Sequence, residues 1–446
     1  MPTNPIRLIG SWSELTPQQR NDATTRGLDK IFDPQLRSDI AQLIDDVRVN
    51  GDAALVRALK SFDGCDVDAS RLRVTGEEFA AARAAVTPEL LAAIRDGIDH
   101  VRRFNEQITA RGDWSFESEP GLSVGEKVTP IASAGLFVPS GKASYPSVLI
   151  QLGTPAVVAG VPEIAVIVPP VPGSAGEVDS ALLVAAAELG ITHVYRSNGP
   201  AGIAALAFGT ETVPRVRKVV GPGSPAVACA QIEVQRYGTV TNMLLGPSES
   251  LVIADDSADP RLLAADLLNE AEHGADSSSV LVTDSERLLE LAQAEVARQL
   301  AELPEPRRGY AAAALGVNGG AFLVRDMPEA AEVANAYAPE HMQIAVRDAD
   351  GLLAQLSNAG EILVGQWTPV SAANFIIGCP ASLPTSGFAV VSSGITADAF
   401  RKRTAIARAD QRSLTRMSDS IIAFTQHEGF PAHEAAVRIR LADRPA

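Results

Sequence analysis

Six histidines are present, His100, His193, His273, His341, His427 and His433. They come first because imidazole changes charge near neutral pH and readily ligates metals. Glu270 stands three residues before His273 on a helix expected to open at Asp259-Pro260, to carry Leu263, Leu267 and Leu268, and to stop at Gly274. Glu-x-x-His at that spacing lies on one helical face and can chelate a single cation. The plainer reading is a cationic residue placed in the last turn to suit the helix dipole. Glu340 and His341 are adjacent, behind Tyr337-Ala338-Pro339, and are expected on a loop ahead of a strand. Two neighbouring bases there can move protons or activate water, an effect of about 10²–10⁴-fold in rate. Residues 374–387, beginning Asn374-Phe375, form a polar, Gly/Pro-containing loop, and His433 falls near the C-terminus. His100, His193 and His427 have no neighbours that suggest a site and read as structural or surface residues.

Glycine-rich loops add little. Gly221-Pro222-Gly223 follows an expected strand, yet no third glycine completes a dinucleotide fingerprint. Gly141-Lys142 is followed by Ala143, so the phosphate-loop pattern fails. Cys65, Cys229 and Cys379 are too few and too far apart for a disulfide scaffold, and inert thiols of a cytoplasmic protein are expected.

These residues need a scaffold. Residues 1 to about 120 read as helical, with stretches at 34–47, 53–59, 76–85 and 88–104. From about 128, short apolar runs at 134–138, 164–168, 194–195 and 218–220 alternate with helical ones at 148–159, 180–189 and 200–208. A second series of runs follows at 251–254, 280–283, 322–324, 344–346 and 362–364. Strand, helix, strand in repetition predicts parallel sheets with right-handed crossovers. The expectation is an α/β protein of two doubly wound, Rossmann-like parallel-sheet domains, with a helical N-terminal region and an Arg-rich helical C-terminal tail from about 396. A chain of 446 residues also exceeds one compact core.

Composition narrows the partners. Apolar residues make up 46% and charged residues 21%, as in ordinary globular proteins. A net charge of −16 repels phosphate backbones and anionic lipid, so neither nucleic acid nor membrane is expected as a partner. No signal peptide is read at the N-terminus, and no apolar run reaches the ~18 residues of a membrane span.

Taken together, several segments resemble the histidinol dehydrogenase family in order and spacing, from about 125 to 440. They are Gly135-Leu136-Phe137-Val138-Pro139-Ser140-Gly141, Val220-Gly221-Pro222-Gly223, Gly246-Pro247-Ser248-Glu249, Ala271-Glu272-His273, Asn335-Ala336-Tyr337-Ala338-Pro339-Glu340-His341, Leu383-Pro384-Thr385 and Ala432-His433. The resemblance implies a homodimeric, NAD-dependent oxidoreductase acting on a small-molecule alcohol, with one Zn²⁺ per subunit. The family's metal places, a glutamine, a histidine, an aspartate and a second histidine, fall on Glu270, His273, Asn374 and His433. Two of the four differ, in opposite directions of charge, so the summed ligand charge is kept. The family's catalytic pair falls on Glu340 and His341. In the family the histidine takes the alcohol proton and the glutamate later activates water. Substrate-contacting places fall on Ser248, Glu270, His273, His341, Asn374, Glu428 and His433.

Places near the nicotinamide nucleotide fall on Phe137, Ala201 and Ser224, where the family has a tyrosine, a glutamine and an asparagine. The family's Asn-His before Leu-Pro-Thr is replaced by Pro380-Ala381. The resemblance thus implies four segments. Residues 1–124 form a helical region partly packed on the second α/β domain, and 125–245 bind nucleotide. Residues 246–395 carry the metal and the catalytic pair, and the tail 396–446 is exchanged in the dimer. The expectation is a zinc-assisted oxidation of a primary alcohol with an altered substrate pocket. The alternatives are authentic L-histidinol oxidation and a metal-binding regulatory protein on the same fold.

Overall fold

The computed structural model describes residues 4–26, 33–140, 144–243 and 246–442. Gly141, Lys142 and Ala143 lie outside the described residues. The chain divides into two compact units, one of residues 1–108 and 132–400, the other of 109–131 and 401–446. Among the described residues no helix is long and apolar enough to cross a membrane.

In chain order the strands are β1 (Leu8–Ser11), β2 (Trp114–Glu119), β3 (Leu122–Pro130), β4 (Ser133–Phe137), β5 (Glu163–Val168), β6 (His193–Arg196) and β7 (Lys218–Val220). They continue with β8 (Glu249–Ala254), β9 (Ser278–Thr283), β10 (Gly320–Leu323), β11 (His341–Ala345), β12 (Glu361–Val364) and β13 (Arg401–Ala409). The larger unit holds two sheets, parallel throughout, ordered β6-β5-β4-β7 and β1-β10-β9-β8-β11-β12. Strand order reverses direction between β4 and β7 in the first and between β8 and β11 in the second, which makes both sheets doubly wound.

The strands read as apolar runs because helices cover both faces of such sheets. In the six-stranded sheet, Leu251, Ile253, Val280, Val282, Met342 and Ile344 pack into one core. Their alternates Val252, Ala254, Leu281 and Ala345 pack into another, as the two-residue side-chain period requires. At the end of β7, Gly221 has φ 141, and a Cβ there would stand 2.1 Å from the Phe137 carbonyl oxygen. Only glycine lets these two strand ends lie so close.

Two expectations are corrected. The N-terminal region is not wholly helical, because β1 adds a parallel edge strand to the six-stranded sheet through backbone pairing with β10. Its short Leu-Ile-Gly-Ser sequence carries no periodic signal. The stretches expected at 34–47 and 53–59 are borne out as two helical segments of Pro34–Phe62, parted by non-helical backbone at Gly51. The C-terminal region also opens on a strand, since β13 joins β3 and β2 in an antiparallel sheet of the smaller unit. That sheet is largely exposed, so burial imposed no apolar alternation on it. Two helices, Gln411–His427 and Pro431–Ala442, follow in the same unit.

Candidate active site

A cavity of about 530 Å³ lies within the larger unit. The residues following β4, β6 and β7 line it, among them Pro139, Gly199 and Gly223, so it opens at the carboxyl edge of the four-stranded sheet. Ser248, Ser277, Glu340 and His341 line it from the opposite side, at the amino edge of the six-stranded sheet. Two strand edges of opposite sense therefore share one cavity.

The helix Pro260–Ala271 runs into this edge and is started by the Asp259 carboxylate, which accepts the Arg261 amide. Its last turn carries Glu270, only 1% exposed. His273 lies just beyond the helix end rather than on its final turn, because Glu272 already caps it. The close approach survives. The His273 Nδ1 is 3.0 Å from one Glu270 oxygen, and the Asn374 amide donates to the other at 2.7 Å. Asn374 belongs to a single wide turn, Ala373–Ile377. The Ser248 hydroxyl also reaches His273 Nδ1, at 3.1 Å. Burial opposes ionisation of Glu270, but His273, His341 and these hydrogen bonds outweigh it and hold its pKa at about 2. Burial likewise opposes protonation of His273, and the Glu270 charge prevails and raises its pKa.

His341 is the first residue of β11 rather than part of a loop, and is 2% exposed. Its Nδ1 meets a Glu361 oxygen at 2.5 Å, while Nε2 lies 3.8 Å from Glu340 and 4.0 Å from Glu270. Burial disfavours the imidazolium, yet Glu340, Glu270 and Glu361 together push the pKa up to about 10. Glu340 moves the other way for a carboxylate. Burial pushes it up to about 8, against the pull of His341. The Glu249 amide donates to its second oxygen at 3.0 Å.

Of the nucleotide-side residues, Phe137 and Ser224 line the cavity, whereas Ala201 is fully buried and is not brought to its wall. The helices Gly199–Phe208 and Pro225–Val234 both begin at the cavity. Their free amides and positive dipole ends suit a pyrophosphate. Glu428 and His433 belong to the smaller unit, where Glu428 caps Gln411–His427 and His433 lies in the first turn of Pro431–Ala442, both exposed. His100 contacts the Ile376 carbonyl oxygen at 2.5 Å, and His193 packs edge-on against Tyr195. Cys65, Cys229 and Cys379 are free thiols.

Sequence reasoning missed several neighbours. Glu361 pairs with His341, and its other oxygen accepts the Cys379 thiol at 3.2 Å. Glu249 accepts Arg26 at 2.7 Å and the Ser386 amide at 2.9 Å, while Arg26 stacks on Tyr337 at 3.5 Å. None of these pairs has a sequence spacing that could have flagged it.

Among the described residues no three His, Cys, Asp or Glu side chains cluster as a metal site. The candidate set draws its third donor from the Asn374 amide. Two oxygens and a nitrogen donor gathered at a helix carboxyl end suit a borderline divalent cation such as zinc.

The histidinol dehydrogenase family model matches residues 29–441. A histidinol dehydrogenase homolog of Colwellia psychrerythraea is 39% identical over 432 residues, covering 95% of this chain and 94% of that protein. A histidinol dehydrogenase of the same organism is also 39% identical, over 441 residues, covering 98% and 99%. The crystal structure of the Elizabethkingia anophelis histidinol dehydrogenase superposes with a TM-score of 0.92 at 30% identity, covering 98% of each chain. The chain belongs to the histidinol dehydrogenase family, whose members are NAD-dependent oxidoreductases that use zinc and are typically homodimeric.

With His273 as a ligand, as the resemblance implies, its pKa would set the pH dependence of metal uptake. Its proton must leave before the nitrogen can ligate, and Glu270 raises the pH at which it leaves. Zn²⁺ affinity is therefore expected to climb as pH rises through and above the ordinary imidazole range, with proton release on binding. Equilibrium dialysis checks this. An affinity flat across that window, or unchanged in His273→Ala, would contradict ligation by His273.

Proposed function

We propose that this chain oxidises a primary alcohol with NAD to the aldehyde and on to the acid, using one zinc per subunit. One observation carries the reading: His273 and Asn374 each stand within 3.0 Å of the Glu270 carboxylate, at the cavity that also holds Glu340 and His341. In this reading residues 125–245 hold the nucleotide and 246–395 the metal. Phe137 and Ser224 sit at the wall where the nucleotide would lie. Glu270, His273, Asn374 and His433 would hold the cation, which when bound would polarise the alcohol oxygen and screen Glu270 from His341, and NAD would supply the hydride acceptor. His341 Nε2 then takes the hydroxyl proton. Ser248 and Glu428 hold the polar end of the substrate. Glu340, anchored by the Glu249 amide, ionises to take a proton from the water that attacks the aldehyde.

The two bases then separate by half-reaction. His341→Asn is expected to slow alcohol oxidation by about 10²–10⁴-fold. Glu340→Gln is expected to spare that step and impair aldehyde oxidation. Single-turnover rates with alcohol and with aldehyde read the two steps, and equal losses in both for Glu340→Gln would refute the division.

The substrate is proposed to differ from histidinol. Phe375, Ala381 and Ser382 line the cavity where the family carries an imidazole beside Leu-Pro-Thr. A site that has lost a polar partner rejects a substrate needing it, since a buried group is left unpaired. L-Histidinol is expected to be a poor substrate. A kcat/KM of roughly 10⁴ M⁻¹s⁻¹ or more with NAD would instead restore the biosynthetic reading.

Glu428 and His433 are proposed to act in the partner subunit's site. The smaller unit leaves Phe424, Phe430 and Ile439 exposed, apolar surface that a partner would cover. Mixed His433→Ala and His341→Ala dimers, each inactive alone, are expected to recover part of the activity after subunit exchange. No recovery once exchange is demonstrated by native mass spectrometry would count against sharing.

A further inference from the structure

We propose that Glu361 is a positioning residue that fixes the tautomer and orientation of His341, with Cys379 fixing Glu361 in turn. The inference rests on His341 being the base. β11 and β12 pair in parallel with His341 opposite Glu361, each the first residue of its strand. The Glu361 amide donates to the Glu340 carbonyl oxygen at 3.1 Å, which locks this register at the cavity edge. One Glu361 oxygen then stands 2.5 Å from His341 Nδ1, and both side chains are buried. An acidic oxygen at that distance requires a proton on Nδ1, which in the neutral ring leaves Nε2 bare.

Nε2 is the atom on the side of Glu270 and Glu340, and His341 lines the cavity. The opposite tautomer would place a hydrogen on Nε2, where the alcohol proton has to go. During oxidation the O–H proton passes to Nε2 while the C–H hydride, with its electron pair, passes to NAD. The ring becomes an imidazolium and the products are aldehyde and NADH. The Glu361 carboxylate offsets the new charge across the Nδ1 hydrogen bond. The Cys379 thiol donates to its second oxygen at 3.2 Å and so restricts rotation of the carboxylate.

The test uses zinc-loaded, ¹⁵N-histidine-labelled protein, with the His341 signals assigned by their loss in His341→Asn. Multiple-bond ¹H–¹⁵N spectra of the wild type above the His341 titration should show Nδ1 protonated and Nε2 bare. Glu361→Ala should show a mixture of tautomers, and its kcat with NAD should fall by about 10²–10⁴-fold with the alcohol KM changed less than about threefold. L-Histidinol and the best alcohol of a dehydrogenase screen serve as substrates. Glu361→Gln, nearly isosteric, should recover part of that loss, because its amide oxygen can still accept the Nδ1 proton. If the alanine variant does not fold, the glutamine variant decides, with a rate between those of wild type and His341→Asn. Wild-type kcat in both Glu361 variants beside an inactive His341→Asn, or a bare Nδ1 in the wild type, overturns the positioning role alone. Wild-type kcat in His341→Asn overturns the role of His341 and this inference with it.

Discussion

Four glutamates are buried around one cavity edge: Glu249, Glu270, Glu340 and Glu361, none more than 8% exposed. Burying ionised carboxylates is prohibitive unless each is paired and hydrogen-bonded. Glu249 has Arg26 and the Ser386 amide, Glu270 has His273 and Asn374, Glu361 has His341 and Cys379, and Glu340 has the Glu249 amide. Removing one member of such a pair typically costs about 3–5 kcal/mol, a large part of the whole stability of a domain. The segments that meet here are held in place by these pairs. Through Glu249 the 383–387 loop is tied to the start of β8, and Thr385 reinforces the tie by accepting the Gly246 amide at 2.5 Å.

The same charges explain the protonation pattern. With all four carboxylates ionised, Arg26, His273 and His341 could offer at most three positive charges. The rise of Glu340 to about 8 and of His341 to about 10 is the response: one carboxyl stays neutral and the imidazole keeps its proton. On the proposed reading, a divalent cation that enters as His273 and His341 lose their protons leaves this balance intact. Metal uptake and the freeing of a base at Nε2 are then two sides of one exchange.

Placement of the cavity follows from topology. In the four-stranded sheet it lies at the carboxyl edge beside the β4/β7 switch point, the usual crevice for ligands in open α/β sheets. In the six-stranded sheet it lies at the amino edge, where the helix Pro260–Ala271 ends and presents carbonyl oxygens rather than amides. One wall therefore offers helix starts suited to phosphate. The other offers a helix end suited to a cation. On the proposed reading, a nucleotide and a metal at opposite walls of a single cavity need no further device to be brought together.

Much of the scaffold is legible in the sequence because buried parallel strands must be apolar on both faces. The runs expected at 134–138, 251–254 and 280–283 begin within two residues of β4, β8 and β9. β2 and β13 gave no such signal, being exposed and held by backbone pairing. The pairs Glu270 with His273 and Glu340 with His341 were visible because each is local in the chain. Glu361 was not, since only the β11/β12 register brings it to His341 across twenty residues. Arg26 lies farther still from Glu249, 223 residues away, and no local pattern can carry that contact.

The two departures from the ligand set that the resemblance implies become intelligible in this frame. Where the family has an aspartate, Asn374 sits on a half-buried turn, and where it has an amide, Glu270 sits at a helix end among imidazoles. A carboxylate at a helix carboxyl terminus is opposed by the dipole, so the change needs compensation. His273 and His341 supply it, together with the Asn374 amide, and the net result is a pKa of about 2. An aspartate at 374 beside Glu270 would have put two carboxylates within hydrogen-bond distance. Without a cation between them, one would then hold a proton. The Asn374 amide thus joins His273 and His341 in keeping Glu270 ionised, and the two substitutions complement each other in charge.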